Sequence, residues 1–179
     1  MKKVDALTVL RYWDKKGRYV FTKRDLSKLF FNNSSKTLTE SLKRLVYDGI
    51  LVRACHGIYV NSHAYSFDSY VIERIAKALR RGEYNYVSLE SMLSEYGMIS
   101  QIPIDRLTVM TTGRKGLFKT DYGVIEFTHT KKSVSDILSF IERIEGRPLR
   151  VASKEAAWKD LKHVGRNVQM VIRADLYEG

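Results

Sequence analysis

Lys36, Lys43 and Arg44 are the residues whose chemistry is easiest to argue. Cations clustered on one helix face can neutralise phosphates, or read guanine where a bidentate pose is available. They stand in the stretch Ser34–Val60, SSKTLTESLKRLVYDGILVRACHGIYV. Ser34, Ser35, Lys36 and Thr37 fall at the start of a predicted helix, the end that enters the major groove in helix-turn-helix proteins. Glu40 could accept from a cytosine amino group, although a solvated carboxylate is the plainer reading. Arg53 and His56 are placed to reach the DNA backbone or minor groove from a following hairpin. Any one of these charges alone would mean only a solvated side chain; the argument rests on the cluster.

A second candidate is Thr111-Thr112-Gly113-Arg114-Lys115-Gly116. Two glycines allow close backbone approach to a ligand, and Arg114 with Lys115 could grip a phosphate. A solvent-exposed hairpin with charged tips explains the same residues, and by residue type alone the two readings weigh about evenly. Signs of catalysis are lacking. The chain has no G-x-x-x-x-G-K-[ST], no G-x-G-x-x-G and no G-x-S-x-G. Its histidines, His56, His63, His129 and His163, form no metal-binding spacing, and the single cysteine, Cys55, excludes an intrachain disulfide. No catalytic residue, metal or cofactor is therefore expected. Glu90 and Glu126 could pair in the fold, which sequence cannot decide.

The elements that must position these residues follow from periodicity. Leu38, Leu42, Leu45 and Val46 recur at helical spacing and define a buried face, leaving Lys36, Thr37, Glu40, Arg44 and Tyr47 opposite and Lys43 at the flank. Ser34 or Ser35 can cap this helix, Thr37 and Glu40 have capping-box spacing, and Gly49 supplies a stop. Ile50–Arg53 and Gly57–Val60 read as strands joined by a turn, Ala54–Gly57. Upstream, Val4, Leu7, Leu10 and Tyr12-Trp13 suggest a helix ending near Gly17. Tyr19–Phe21 suggests a short strand, and Thr22 with Asp25 a capping box opening a helix over 23–30. Helix, strand, helix, turn, helix, hairpin is the order of a winged helix-turn-helix domain, assigned to residues 1–62.

Asn61–Phe67 reads as a linker to a domain over 63–179. There Asp68 is expected to cap a helix ending at Arg80–Gly82, and Ser88 another ending at Gly97. Arg106–Thr112, Leu117–Thr120 and Val124–Thr130 are expected to form an antiparallel meander. Ser133–Glu145 and the stretch after Ser153 read as helices, with a possible strand over 149–151 between them. Residues 168–177 are open between strand and helix. The expected fold class is α+β: an N-terminal winged helix-turn-helix, then a C-terminal α+β domain with an antiparallel sheet.

Charge supports a polyanionic partner. The 179 residues carry a net +11, with an ordinary apolar fraction of 44%. Residues 1–62 hold 13 Lys and Arg against 5 Asp and Glu, and the remainder 18 against 15. The excess thus lies where the helix-hairpin unit lies. No run is long and apolar enough to span a bilayer, and the opening MKKVDALTVLRYWDKK lacks a signal peptide's apolar core, so a cytoplasmic protein with no membrane partner is expected.

The chain resembles the AbiEi-type antitoxins of bacterial type IV toxin–antitoxin (abortive infection) systems over nearly its whole length. The residues that carry the resemblance are Leu51–Val60, Tyr86–Ser91, Tyr96-Gly97, Leu107–Gly113 with Arg114, Tyr122–His129 and Val151–Leu161. It implies an N-terminal domain that binds inverted repeats in the promoter of its own operon and represses it. It also implies a C-terminal domain that counters a nucleotidyltransferase-like toxin without needing a stable complex. The DNA-binding role carries onto Lys36, Thr37, Lys43, Arg44, Arg53 and His56 from their places in the motif. Arg114 and Lys115 are chosen as an antitoxin surface because their turn lies in the most family-like stretch. A monomer or weak dimer, cooperative on double-stranded DNA, is expected. The alternative is a winged-helix regulator whose second domain senses a ligand or dimerises, with no toxin partner. An enzyme acting on nucleic acid ranks last, for want of a nucleophile, base or metal set.

Overall fold

The computed structural model describes residues 2–99 and 105–172 and divides into two units, Met1–Leu79 and Arg80–Gly179. It is a mixed α+β chain with seven α-helices among the described residues.

In the first unit, α1 (Lys3–Asp14) is followed by β1 (Val20–Thr22), α2 (Lys23–Leu29) and α3 (Ser35–Tyr47). Then come β2 (Val52–Cys55), β3 (Ile58–Val60) and α4 (Val71–Leu79). The strands form a wholly antiparallel sheet in the order β1-β3-β2. The core gathers Ala6 and Leu10 from α1, Phe21, Leu26 and Phe30, then Leu38, Leu42 and Leu45 from α3, and Leu51 and Tyr59. The first helix forms as expected, with Ala6 and Leu10 facing inward, Val9 and Trp13 at the margin, and Val4 and Tyr12 exposed. The capping box forms as expected, the Asp25 amide donating to Thr22 Oγ1 (3.0 Å) and the Thr22 amide to Asp25 Oδ2 (2.8 Å).

The hairpin turn is tighter than expected. Ala54 and Cys55 continue β2, and the reversal falls on His56-Gly57, where Gly57 takes a φ of 75°. Cys55 is thus a half-buried strand residue, and burial pushes its thiol pKa up.

Asn61–Phe67 is not a free linker. The Asp14 carboxylate accepts from the amides of Tyr65 (2.8 Å) and Ser66 (2.9 Å) and from the Ser66 hydroxyl (2.7 Å). These bonds outweigh partial burial and hold the Asp14 pKa below the usual carboxylate value. Asp68 binds the Tyr19 hydroxyl (2.7 Å) and Arg74 (2.5 Å), fastening α4 beside β1. Burial, with the Asp68 bond, pushes the Tyr19 hydroxyl up to about 12. The boundary expected at residue 62 therefore falls inside the first unit, which runs to Leu79.

In the second unit, β4 (Asn85–Val87), α5 (Leu89–Glu95), β5 (Arg106–Thr111), β6 (Gly116–Thr120) and β7 (Gly123–His129) come first. α6 (Val134–Phe140), β8 (Ile141–Glu142), β9 (Arg150–Ala152) and α7 (Lys154–Val164) follow, with a 3₁₀ turn at Val168–Met170. The six strands order as β6-β7-β5-β4-β9-β8. The expected antiparallel meander is corrected. β5 pairs with β7 in parallel, β4 with β9 in parallel, and β6 turns out to the edge. Composition explains the swap: Ile125 and Phe127 of β7 are buried, whereas Leu117 of β6 is exposed and Lys119 belongs in water. The more apolar strand takes the inner place.

The helix expected over 133–145 stops at Phe140, because Ile141 pairs with Ala152 at the sheet edge. Ile137 is buried, while Val134, Leu138 and Ile144 are exposed. Of the stretch left open between strand and helix, Val171 bridges to Ile99, and residues 173–177 lie outside the described residues.

Candidate nucleic-acid interface

Ser34 starts α3. Its hydroxyl accepts from the Thr37 amide (3.2 Å) and lies 2.9 Å from the Thr37 hydroxyl, satisfying an amide that the first helical turn leaves unpaired. Glu40 takes no part in a capping box; its carboxylate pairs with Lys43 (2.9 Å) one turn on. Lys23 Nζ donates to Thr39 Oγ1 (3.0 Å), tying the start of α2 to α3. Leu38, Ser41, Leu42 and Leu45 are buried, and α3 is thereby held with its opposite face in solvent.

Every residue picked from the sequence for DNA contact lies on that outer side or on the hairpin. Ser34, Ser35, Lys36, Thr37, Glu40, Lys43 and Arg44 are all exposed, as are Arg53 and His56. Arg44 leans back on Ser41 Oγ (3.4 Å), and an Arg53 Nη2 donates to His56 Nδ1 (3.3 Å) across the hairpin end. The Lys43–Glu40 pair costs little to open, since exposed ion pairs are worth about 0.2–1 kcal/mol. The surface can therefore exchange its internal partners for phosphates.

In the second unit, Arg114 and Lys115 are exposed on a turn that the chain itself holds. His129 Nδ1–H donates to the Gly113 carbonyl (2.9 Å), the Gly113 amide to Thr111 Oγ1 (3.0 Å) and Arg80 Nε–H to the Arg114 carbonyl (2.9 Å). The glycines are explained without a ligand: a Cβ on Gly113 would meet Glu83 Cγ at 2.8 Å, and one on Gly116 the Phe118 ring at 3.2 Å.

Two polar clusters were beyond sequence reading. Glu90 and Glu126 do meet, through Arg166. Its guanidinium donates to both Glu90 oxygens (2.9 and 3.2 Å) and to Glu126, while Asn167 adds a bond to Glu90 (2.9 Å) and Arg106 one to Glu126 (3.0 Å). Burial alone would lower the Arg166 pKa, but the two carboxylates raise it. The other cluster surrounds Asp160, which is 2% exposed. It accepts from Ser88 Oγ (2.8 Å), the Tyr86 hydroxyl (3.2 Å) and Lys132 Nζ (2.5 Å). Ser88 is thus not the side-chain cap of α5; its hydroxyl is turned to Asp160. Burial and the Asp160 charge raise the Tyr86 pKa strongly. Both clusters are saturated with internal bonds, which suits holding α5 and α7 to the sheet better than chemistry on a substrate.

Among the described residues no three His, Cys, Asp or Glu side chains gather to hold a metal ion, and no helix is long and apolar enough to cross a membrane.

No family model and no curated protein matches the chain. Among solved structures it is similar to the RV2827C protein from Mycobacterium tuberculosis, with a TM-score of 0.60 and 17% identity. The match covers 88% of this chain and 60% of that one, so the chain spans about 60% of its neighbour's length. At this identity the likeness is one of fold: a mixed α+β architecture shared across both units.

Proposed function

We propose that this chain is an autorepressor and antitoxin of the AbiEi type. Its first unit would act as a winged helix-turn-helix domain, with α3 in the major groove and the β2–β3 hairpin as the wing on the flanking backbone. Its second unit would counter a nucleotidyltransferase-like toxin, and Arg114 and Lys115 are the surface assigned to that task. The observation that carries the DNA half is the division of α3. One face is buried against α1, α2 and the hairpin, and all nine residues chosen for DNA contact are exposed opposite it or beside it. The element order α1-β1-α2-α3-β2-β3 and the basic excess of the first third support the same reading.

Inverted repeats would seat two copies on one DNA face at whole-turn spacing, roughly 34–36 Å per turn. Growth rescue tests the antitoxin half. A nucleotidyltransferase-like gene adjacent to this one is expressed alone, then with the full chain, residues 1–79 or residues 80–179. Rescue by the full chain and by 80–179 is expected. No rescue by soluble full chain would overturn the antitoxin reading and leave a DNA-binding regulator.

A further inference from the structure

We propose that the end of the second sheet where β4 begins and β5 and β7 finish is a binding surface for single-stranded nucleic acid, held by its phosphate backbone without regard to sequence. The inference stands on second-unit residues and needs neither the operator nor the toxin reading.

Strand register makes the surface. Asn85 pairs with Thr111, and Thr111 with His129, so three neighbouring strands reach one level together. Each carries a basic dipeptide just beyond it: Arg80-Arg81 before β4, Arg114-Lys115 after β5 and Lys131-Lys132 after β7. Strands lie about 4.8 Å apart, so the three strand ends from which the dipeptides extend span about 10 Å. Lys132 is committed to Asp160. Arg81, Arg114, Lys115 and Lys131 are exposed, and Arg150 at the start of β9 carries the row past β4. Sequence could not show the row, because its dipeptides are far apart in the chain and only the parallel β5–β7 pairing aligns them.

The row is braced from beneath. The Arg80 guanidinium lies over the rings of Phe127 (4.6 Å) and Phe118 (5.0 Å) while its Nε–H holds the Arg114 carbonyl. Burial and the nearby Arg114 charge depress the Arg80 pKa, and Glu83 offsets part of this. Two guanidiniums are thus kept close at an electrostatic cost that a bound phosphate would remove. Glu83 is the acidic neighbour, and it already accepts from the Thr112 hydroxyl (2.9 Å).

Tyr84 points to single strands. The residue is 43% exposed at the entry to β4, with its backbone amide fixed to Thr112 Oγ1 (3.1 Å). An exposed aromatic among cations offers a stacking platform for an unpaired base, whereas a duplex hides base faces within its own stack.

The test uses the full chain with Lys36, Lys43 and Arg44 changed to Ala, so that the first unit contributes least. Fluorescence anisotropy follows binding of labelled oligo-dT and oligo-rU of about 20 nucleotides, and of a duplex of equal length. Adding Arg114→Ala, Lys115→Ala and Lys131→Ala should weaken single-strand binding about tenfold or more and shrink the log–log salt slope by about 2. Tyr84→Ala should weaken single-strand binding about fivefold with little change in slope. Removing equal charge from α7, by Lys154→Ala, Lys159→Ala and Lys162→Ala, is the control, with urea unfolding to verify that each variant is folded. An effect of the row no larger than that control would overturn the proposal, as would absence of binding by the parent. Equal affinity for the duplex, unmoved by Tyr84→Ala, would overturn the single-strand assignment.

Discussion

The polar side chains of α3 with its hairpin and those of the Asp160 and Arg166 clusters are employed in opposite ways. On α3 and the β2–β3 hairpin they are short of strong partners: Lys43 and Glu40 share an exposed ion pair, and Arg53 rests on His56. In the second unit the strongest polar groups are turned inward, Asp160 onto Ser88, Tyr86 and Lys132, and Arg166 onto Glu90 and Glu126. A surface meant to exchange partners keeps its charges in water, where releasing an existing bond is cheap. A charge buried among donors fixes architecture, because freeing it leaves unpaired groups in a low dielectric. Charge removal on α3 and the β2–β3 hairpin should therefore alter binding without stability, and removal of the Asp160 or Arg166 charge should alter stability.

The largest effect is expected at Asp160. Asp160→Ala leaves the fully buried Ser88 and Tyr86 hydroxyls without their acceptor and Lys132 without its counter-ion, and should cost about 3–5 kcal/mol in urea unfolding. Asp160→Asn keeps an acceptor oxygen and should cost less. A variant as stable as the parent would break the contrast between the units.

Arg166→Ala comes next. Glu90 and Glu126 would face each other without the cation between them, and loss of about 2 kcal/mol is expected for this partly exposed cluster. Glu126→Gln in the same background relieves the repulsion and should restore part of it. Absence of any recovery would mean that Arg166 acts through packing alone.

The smallest expected effect is in acid, and it belongs to the first unit. The folded-state pKa values of Asp14 and Asp68 are depressed by their hydrogen bonds and, at Asp68, by Arg74. Their contribution is therefore present above the unfolded carboxylate value of about 3.9 and is lost as pH falls through the lower folded values. Urea midpoints measured between pH 5 and pH 2 should fall less steeply for Asp14→Asn than for the parent. Identical curves would remove Asp14 as the tie to Tyr65 and Ser66.

What could be read in the sequence was what neighbouring residues decide. The cap at Thr22 forms where read, and of the two serines offered for α3 it is Ser34 that serves, because each hydroxyl accepts from an amide three residues on. The face of α3 was legible for the same reason, since its period alone separates Leu38, Leu42 and Leu45 from the cations. Ser88 shows the limit. It sits at a helix start like the others, yet its hydroxyl serves Asp160, 72 residues away. The end of α6 was hidden because a single strand pairing, Ile141 with Ala152, overrides a helical pattern. Strand order in the second sheet was hidden too: hairpin spacing fixes β6 beside β7, but burial decides which of them meets β5. Arg166 gave no signal, since a lone arginine after a helix reads as a solvated charge.

The decisive measurement is binding of the full chain to duplex DNA from its own promoter across a salt series. Cooperative binding to the repeats is expected. Lys36→Ala, Lys43→Ala and Arg44→Ala together should cost at least about tenfold in affinity, shrink the log–log salt slope by about 3 and leave the urea midpoint unmoved. Unchanged affinity and slope in a folded triple variant would contradict the assignment of α3 as the DNA-reading element.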